Sequence, residues 1–124
     1  MAPRTPEDCD RLFAEHLNAG DAAGVAALYE AQGALVMEGT GVVTGHAAIR
    51  EAIQTFVNMR PTLRMNVTKV VRSGDVAVLY NDWTLTAKGP DGALIEDKGK
   101  AIEIVRQQAD GTWRFVIDDP RARG

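Results

Sequence analysis

From Leu63 onward the chain alternates apolar and polar residues in long runs, and three turn signals cut those runs: Ser73-Gly74-Asp75, Gly89-Pro90-Asp91-Gly92 and Ala109-Asp110-Gly111. A period of two marks strands, and turns at this spacing fold consecutive strands back on each other. The pattern predicts antiparallel strands over 63–71, 76–87, about 95–107 and 112–118. The first half has the other period. Thr5-Pro6-Glu7-Asp8 supplies a hydroxyl cap, a proline at the first helical position and acids against the dipole. Leu12, Phe13, His16 and Leu17 follow on one helical face, up to Gly20. Asp21 caps a second short helix carrying Val25, Leu28 and Tyr29, and Ala34–Met37 reads as a short extended piece before a turn through Gly39-Thr40-Gly41. Thr44-Gly45 opens a third helix with Ile49, Ile53, Phe56 and Val57 on one face, which Pro61 stops. Helices first and a strand meander after is an α+β layout.

With 124 residues and neither repeat nor linker, the chain is read as one domain over 1–124. A domain of this size buries roughly two-thirds of its unfolded surface, enough for a core and a cavity. Fourteen basic against seventeen acidic side chains leave −3, and the basic residues form no stripe beyond the short tail Arg121, Ala122, Arg123. Nucleic acid is therefore not the expected partner. Cys9 is the sole cysteine, which excludes an internal disulfide and fits a reducing compartment. The start Met1-Ala2-Pro3-Arg4-Thr5-Pro6 lacks the apolar run of a signal peptide, and no stretch is long enough to span a membrane. The expectation is a cytoplasmic protein with no membrane partner.

Each strand divides into two faces. One set is Leu79, Trp83, Leu85, Ile102, Ile104, Trp113, Phe115 and Ile117; the other is Tyr80, Asp82, Thr84, Glu103, Val105, Arg114, Val116 and Asp118. Parity alone makes the first set core and the second solvated, with Asp82, Glu103 and Asp118 as wet carboxylates pairing with Arg114, Arg64 or Lys100.

A family likeness reverses that assignment. The run Phe13-Ala14-Glu15-His16-Leu17-Asn18-Ala19-Gly20-Asp21, then Val25, Leu28 and Tyr29, resembles the first two helices of the nuclear transport factor 2-like superfamily. So do Val42-Val43-Thr44-Gly45-His46-Ala47-Ala48-Ile49-Arg50-Glu51-Ala52-Ile53, Asn81-Asp82-Trp83-Thr84-Leu85-Thr86 and Asp110-Gly111-Thr112-Trp113-Arg114-Phe115-Val116. The likeness runs along nearly the whole chain and points to the ketosteroid isomerase-like and SnoaL-like polyketide cyclase-like proteins. It implies a cone: three N-terminal helices packed in a strongly curved, mainly antiparallel sheet that encloses a pocket. It also implies that Tyr80, Asp82, Thr84, Glu103, Val105, Val116 and Asp118 face the pocket, joined by Phe13, Tyr29 and Met37. The apolar outer face, with Trp83 and Trp113, then needs a cover, and a two-fold homodimer through the sheets supplies one.

The resemblance also tests steroid isomerisation, which uses an aspartate base with a tyrosine and a protonated acid as oxyanion donors. Phe13 stands in the tyrosine's place without a hydroxyl. Met37, or Glu38 with a shift of one, stands in the base's place, and Glu103 stands in that of the protonated acid. One missing oxyanion donor alone costs on the order of 10²–10³ in rate, so the chain is not expected to be a steroid isomerase.

What remains is an acidic group of Asp82, Glu103 and Asp118. Carboxylates crowded in a low-dielectric cavity force one another to keep a proton, which sets an acid beside a base. The expected ligand is a small apolar organic molecule. The expected activity is a cofactor-independent isomerase, cyclase or hydratase, with Glu38 or His16 assisting, or else a pocket that binds without chemistry. His16 reads either as a group projecting into the pocket or as a core histidine bonded to a backbone carbonyl, and His46 as exposed. No ligand motif of fixed spacing suggests a metal, and no cofactor is expected.

Overall fold

The structure is a computed structural model and describes residues 2–39 and 41–124. Met1 and Thr40, the latter in the predicted glycine turn, lie outside the described residues. Three helices, α1 (Pro6–Asn18), α2 (Ala22–Ala26) and α3 (His46–Val57), accompany six strands: β1 (Tyr29–Met37), β2 (Gly41–Thr44), β3 (Thr62–Ser73), β4 (Val76–Lys88), β5 (Leu94–Gln107) and β6 (Trp113–Asp119). The strands form one sheet in the order β2-β1-β6-β5-β4-β3, antiparallel throughout except for the parallel β1–β6 pair.

The predicted caps form. Thr5 accepts from the Asp8 backbone N–H while the Asp8 side chain accepts from the Thr5 N–H, a reciprocal capping box. Asp21 caps α2 by accepting from the Gly24 N–H. Two elements differ from expectation. Tyr29 begins β1 rather than riding on the second helix, because α2 ends at Ala26 and the Leu28 carbonyl accepts from the Phe115 N–H, which sets the chain beside β6. The piece expected over Ala34–Met37 is the end of a nine-residue strand, and β2 returns from it as a hairpin that the sequence pattern did not suggest.

Register shifts interrupt β1 between Tyr29 and Ala34, β3 between Val67 and Lys69, and β6 between Phe115 and Ile117. Each inserted residue bends its strand and raises its twist, so the sheet curls without closing. The concave side takes α1 and the apolar stripe Leu12, Phe13 and Leu17, with Leu79, Val105, Trp113 and Phe115 beneath it. Phe13 meets Phe115 edge-on at 6.1 Å between ring centroids. Among the described residues, no helix is long and apolar enough to cross a membrane.

Candidate functional site: a buried acid chain under an apolar pocket

Cross-strand partners share a face, so register decides which side chains meet. Leu79 pairs with Glu103, and Glu103 pairs with Asp118. Leu79, Glu103 and Asp118 therefore share the concave face. Asp82 instead pairs with Lys100, on the opposite face. The expected grouping of Asp82 with Glu103 and Asp118 is corrected: Asp82 is half-exposed and bonds the Arg123 guanidinium at 3.4 Å. Tyr80 and Thr84 share Asp82's parity and lie outside the pocket, Tyr80 beneath the Lys69 ammonium and the Arg123 guanidinium. Trp83 and Trp113 move the other way. Trp113 is in the core and Trp83 lines the cavity, so neither covers an outer interface.

The cavity has a volume of about 400 Å³. Its walls are mostly apolar, from Phe13, Leu35, Met37, Phe56, Met65 and Trp83, and its polar lining includes Glu103, Asp118, Glu38 and Arg121. Val105 is wholly buried in the core beside it, and Val116 is the extra residue of the β6 bulge; neither lines the cavity. Tyr29 is also buried, and its hydroxyl donates to Asp118 Oδ2 at 2.6 Å. His16 projects away from the cavity, half-buried, with Nδ1 3.5 Å from Asp21 Oδ2. His46 is half-buried rather than exposed, and its Nε2 donates to the Tyr29 carbonyl at 2.6 Å.

Two polar residues complete the site without having been anticipated. Asp10 on α1 and Asn81 on β4 are 1% and 0% exposed, beside Glu103 at 1% and Asp118 at 2%. The Asn81 Nδ2 donates to Asp10 Oδ2 at 3.1 Å. Glu103 lies within hydrogen-bonding reach of both Asp10 and Asp118. A continuous chain results: Asn81, Asp10, Glu103, Asp118, Tyr29. None of the ion pairs among the described residues includes its three carboxyls.

Burial without a cation disfavours carboxylate charge. Desolvation pushes Asp118 from the ordinary 3.8 up to about 7, with Asp10 adding to the rise while the Tyr29 and Glu103 hydrogen bonds oppose it. Burial raises Glu103 well above the usual carboxylate range, reinforced by Asp10 and then Asp118. Asp10 is raised by burial, against hydrogen bonds from Glu103 and Asn81. Tyr29 is held well above its usual value by burial and by Asp118, so it remains a donor. Asp118 thus titrates near neutrality at the pocket wall, beside a second carboxyl whose neutral form burial favours.

The mouth is built differently. Arg121 Nε lies 2.7 Å from Glu38 Oε2, and its other nitrogens bond Asp97 and the Lys98 carbonyl. Its guanidinium sits over the Trp83 ring, 5.1 Å from the centroid. Glu38, 74% exposed at the side chain, is a rim residue facing Arg121 rather than a member of the buried chain. Among the described residues, no group of three or more His, Cys, Asp or Glu is disposed to hold a metal ion.

Residues 10–123 match the SnoaL-like domain family. The chain belongs to that family. Its fold is that of the nuclear transport factor 2-like superfamily. It is similar to a protein of unknown function from Mycobacterium tuberculosis (TM-score 0.82, 22% identity, covering 93% of this chain and 68% of that one). It is also similar to a ketosteroid isomerase-like protein from Erwinia carotovora atroseptica (0.81, 19%, 91% and 89%). A nuclear transport factor 2-like superfamily protein from Salmonella enterica matches as well (0.79, 19%, 94% and 89%). At these identities the likeness establishes fold and not activity. No curated protein matches the chain.

Proposed function

We propose that this SnoaL-like protein binds a small, largely apolar organic molecule in its cavity and moves a proton on it through Asp118, without a cofactor. The observation that carries this reading is the position of Asp118: a carboxyl pushed up to about 7, lining an apolar cavity beside Glu103, whose neutral form burial favours. A general acid–base group is most effective when its pKa lies near the working pH. Asp118 takes a proton from the bound molecule and returns it elsewhere, the step shared by isomerase, cyclase and hydratase chemistry. Phe13 offers no hydroxyl at the pocket wall, which argues against steroid isomerisation in particular.

The test is solvent-deuterium incorporation into small cyclic ketones, followed by NMR, with thermal shift as the binding readout. Exchange that Asp118→Asn abolishes while binding persists supports the reading. Binding with no exchange in the wild type makes the protein a ligand-binding module, and exchange that survives Asp118→Asn removes the proposed role of that residue.

The homodimer is retained on a corrected surface. Tyr80, Ile102 and Ile104 share the outer face, and Ile117 is 41% exposed beside them. A two-fold contact there would cover the apolar part of this face. Light scattering of wild type and Ile104→Glu checks it: a dimer that the substitution leaves intact does not use this face.

A further inference from the structure

Three buried atoms among the described residues lack a hydrogen-bond partner: Asp10 Oδ1, Asn81 Oδ1 and Glu103 Oε1. Two of them belong to carboxyls that lie within hydrogen-bonding reach of each other. Two carboxylates cannot bond each other, but a proton on either lets the two groups do so. The Glu103–Asp118 contact needs a proton for the same reason. Three carboxyls joined by two contacts therefore hold two protons when the chain carries one negative charge.

The ends of the chain are alike. The Tyr29 hydroxyl donates to Asp118 Oδ2 at one end, and the Asn81 amide donates to Asp10 Oδ2 at the other. Each end can thus hold the charge with a fixed neutral donor beside it, whereas Glu103, although Asn81 reaches it too, stands between two other carboxyls that oppose a charge of its own. We infer that Asp10, Glu103 and Asp118 form a proton relay, in which one negative charge passes between Asp118 at the pocket and Asp10 inside helix α1 while Glu103 stays neutral. The step balances. Glu103 gives its proton to Asp118 as Asp10 gives its own to Glu103, so two protons each cross one hydrogen bond and the total charge stays at minus one. Asp118 can then become an acid without a proton from solvent.

Asp10 does not line the cavity, so it acts through Glu103 as a positioning residue. The titratable groups facing the relay are Tyr29 from β1 and Asp119 beside Asp118 on β6, while Cys9, buried next to Asp10 on α1, is held protonated by its own burial. The catalytic value of the relay rests on the proton-transfer reading above, but the relay itself does not need a ligand to be observed.

Carboxyl carbon-13 shifts of the labelled protein, followed from pH 3 to 10, test it directly. Groups that share a charge titrate in common macroscopic steps. The expected result is that Asp10 and Asp118 move together in one step near neutrality, while Glu103 remains protonated through it. In Asp118→Asn the charge has only the Asp10 end, so the Asp10 signal shows the full amplitude of that step. Asp10→Asn confines the charge to Asp118 and lowers deuterium exchange about tenfold or more, with ligand affinity within about twofold. Independent titration of Asp10 near its ordinary 3.8 overturns the relay, as does an Asp118 curve indifferent to Asp10→Asn. If Asp10→Asn does not fold, the wild-type co-titration decides alone. If the wild type exchanges no ketone but Asp10 and Asp118 still co-titrate, the relay stands and the proton-transfer reading fails.

Discussion

Trp83 lies directly against Gly99: a Cβ built at Gly99 would stand 2.5 Å from the ring's Cζ2. The two are cross-strand partners on β4 and β5, and the glycine leaves room for the indole to lie flat on the sheet. Its other restraints are the Nε1–H donated to the Pro120 carbonyl at 2.7 Å and the Arg121 guanidinium over its face. One cavity wall is therefore set by an absent side chain. Gly99→Ala forces the ring to move, and the space it can move into is the cavity. We expect a loss of about 1–3 kcal/mol in stability, as for overpacked cores, together with weaker ligand binding and a changed Trp emission spectrum. An unchanged spectrum with normal ligand affinity would show that the ring does not shape the pocket.

The raised Asp118 predicts an unusual pH dependence of stability. Between 3.8 and about 7 the folded carboxyl keeps a proton that the unfolded chain has lost. Stability from this group is complete below the unfolded value and declines as pH rises through the window, at about 1.4 kcal/mol per unit. Asp8, Glu30 and Asp110 are lowered in the fold, so their contributions are lost only as pH falls through the acidic end. The two effects occupy different windows. Urea midpoints should fall from pH 4 to pH 7 in the wild type, and Asp118→Asn should flatten that slope. A wild-type profile that rises over this range would contradict the buried-acid description.

These acids also mark where the sequence could be read and where it could not. Periodicity located α1, α3 and the long strands, because long strongly periodic segments carry their own evidence. It did not establish the relative phase of β4 and β5. That phase depends on the loop between Lys88 and Leu94, and one residue more or fewer would turn every side chain of a strand over. Alternation alone puts Leu79 on the face of Ile102, whereas its partner is Glu103. In β6, Phe115 and Ile117 read as one face, but the bulge at Val116 sends Ile117 outward and Asp118 inward. Nothing in the local sequence marks that bulge. Asp10 and Asn81 are legible in the sequence by position. Asp10 falls at helical spacing with Pro6, Phe13 and Leu17 in a buried stripe, and Asn81 falls between Leu79 and Trp83 on their own face.

Tyr29 should tune Asp118 in a known direction. Its hydroxyl donates to Oδ2, a bond that favours the ionised form and offsets part of the burial effect. Tyr29→Phe keeps the ring that packs 5.1 Å from Phe115 and removes only that donor. The Asp118 midpoint should then rise above its wild-type value, shifting the basic behaviour of the site to higher pH. The cost in stability should be about 1–3 kcal/mol where Asp118 is ionised, and smaller at pH 5 where it is not. Carboxyl titration and urea denaturation at the two pH values measure both effects. A midpoint that falls instead would mean that the hydroxyl does not serve as a donor to the charged form.

Glu38 provides the sharpest contrast between the rim and the buried chain. It lines the cavity mouth and stands near the position where a base was expected, but it bonds Arg121 and is largely exposed. Exposed ion pairs contribute about 0–1 kcal/mol, and the Glu38 side chain is 74% exposed. Glu38→Gln should therefore leave stability within about 1 kcal/mol of wild type and proton exchange within a few-fold. A general base lost by the same substitution would cost about 10²–10⁴ in rate. Arg121 should behave otherwise, because one guanidinium joins Glu38, Asp97 and the Lys98 carbonyl across the mouth and covers Trp83. Arg121→Ala removes all four contacts and should accelerate ligand release in stopped-flow measurements, while Glu38→Gln removes one and changes release little. Equal effects from the two substitutions would place the restraint in the Glu38 contact itself. A hundredfold loss of exchange in Glu38→Gln would move the proton-transfer step from the buried chain to the rim.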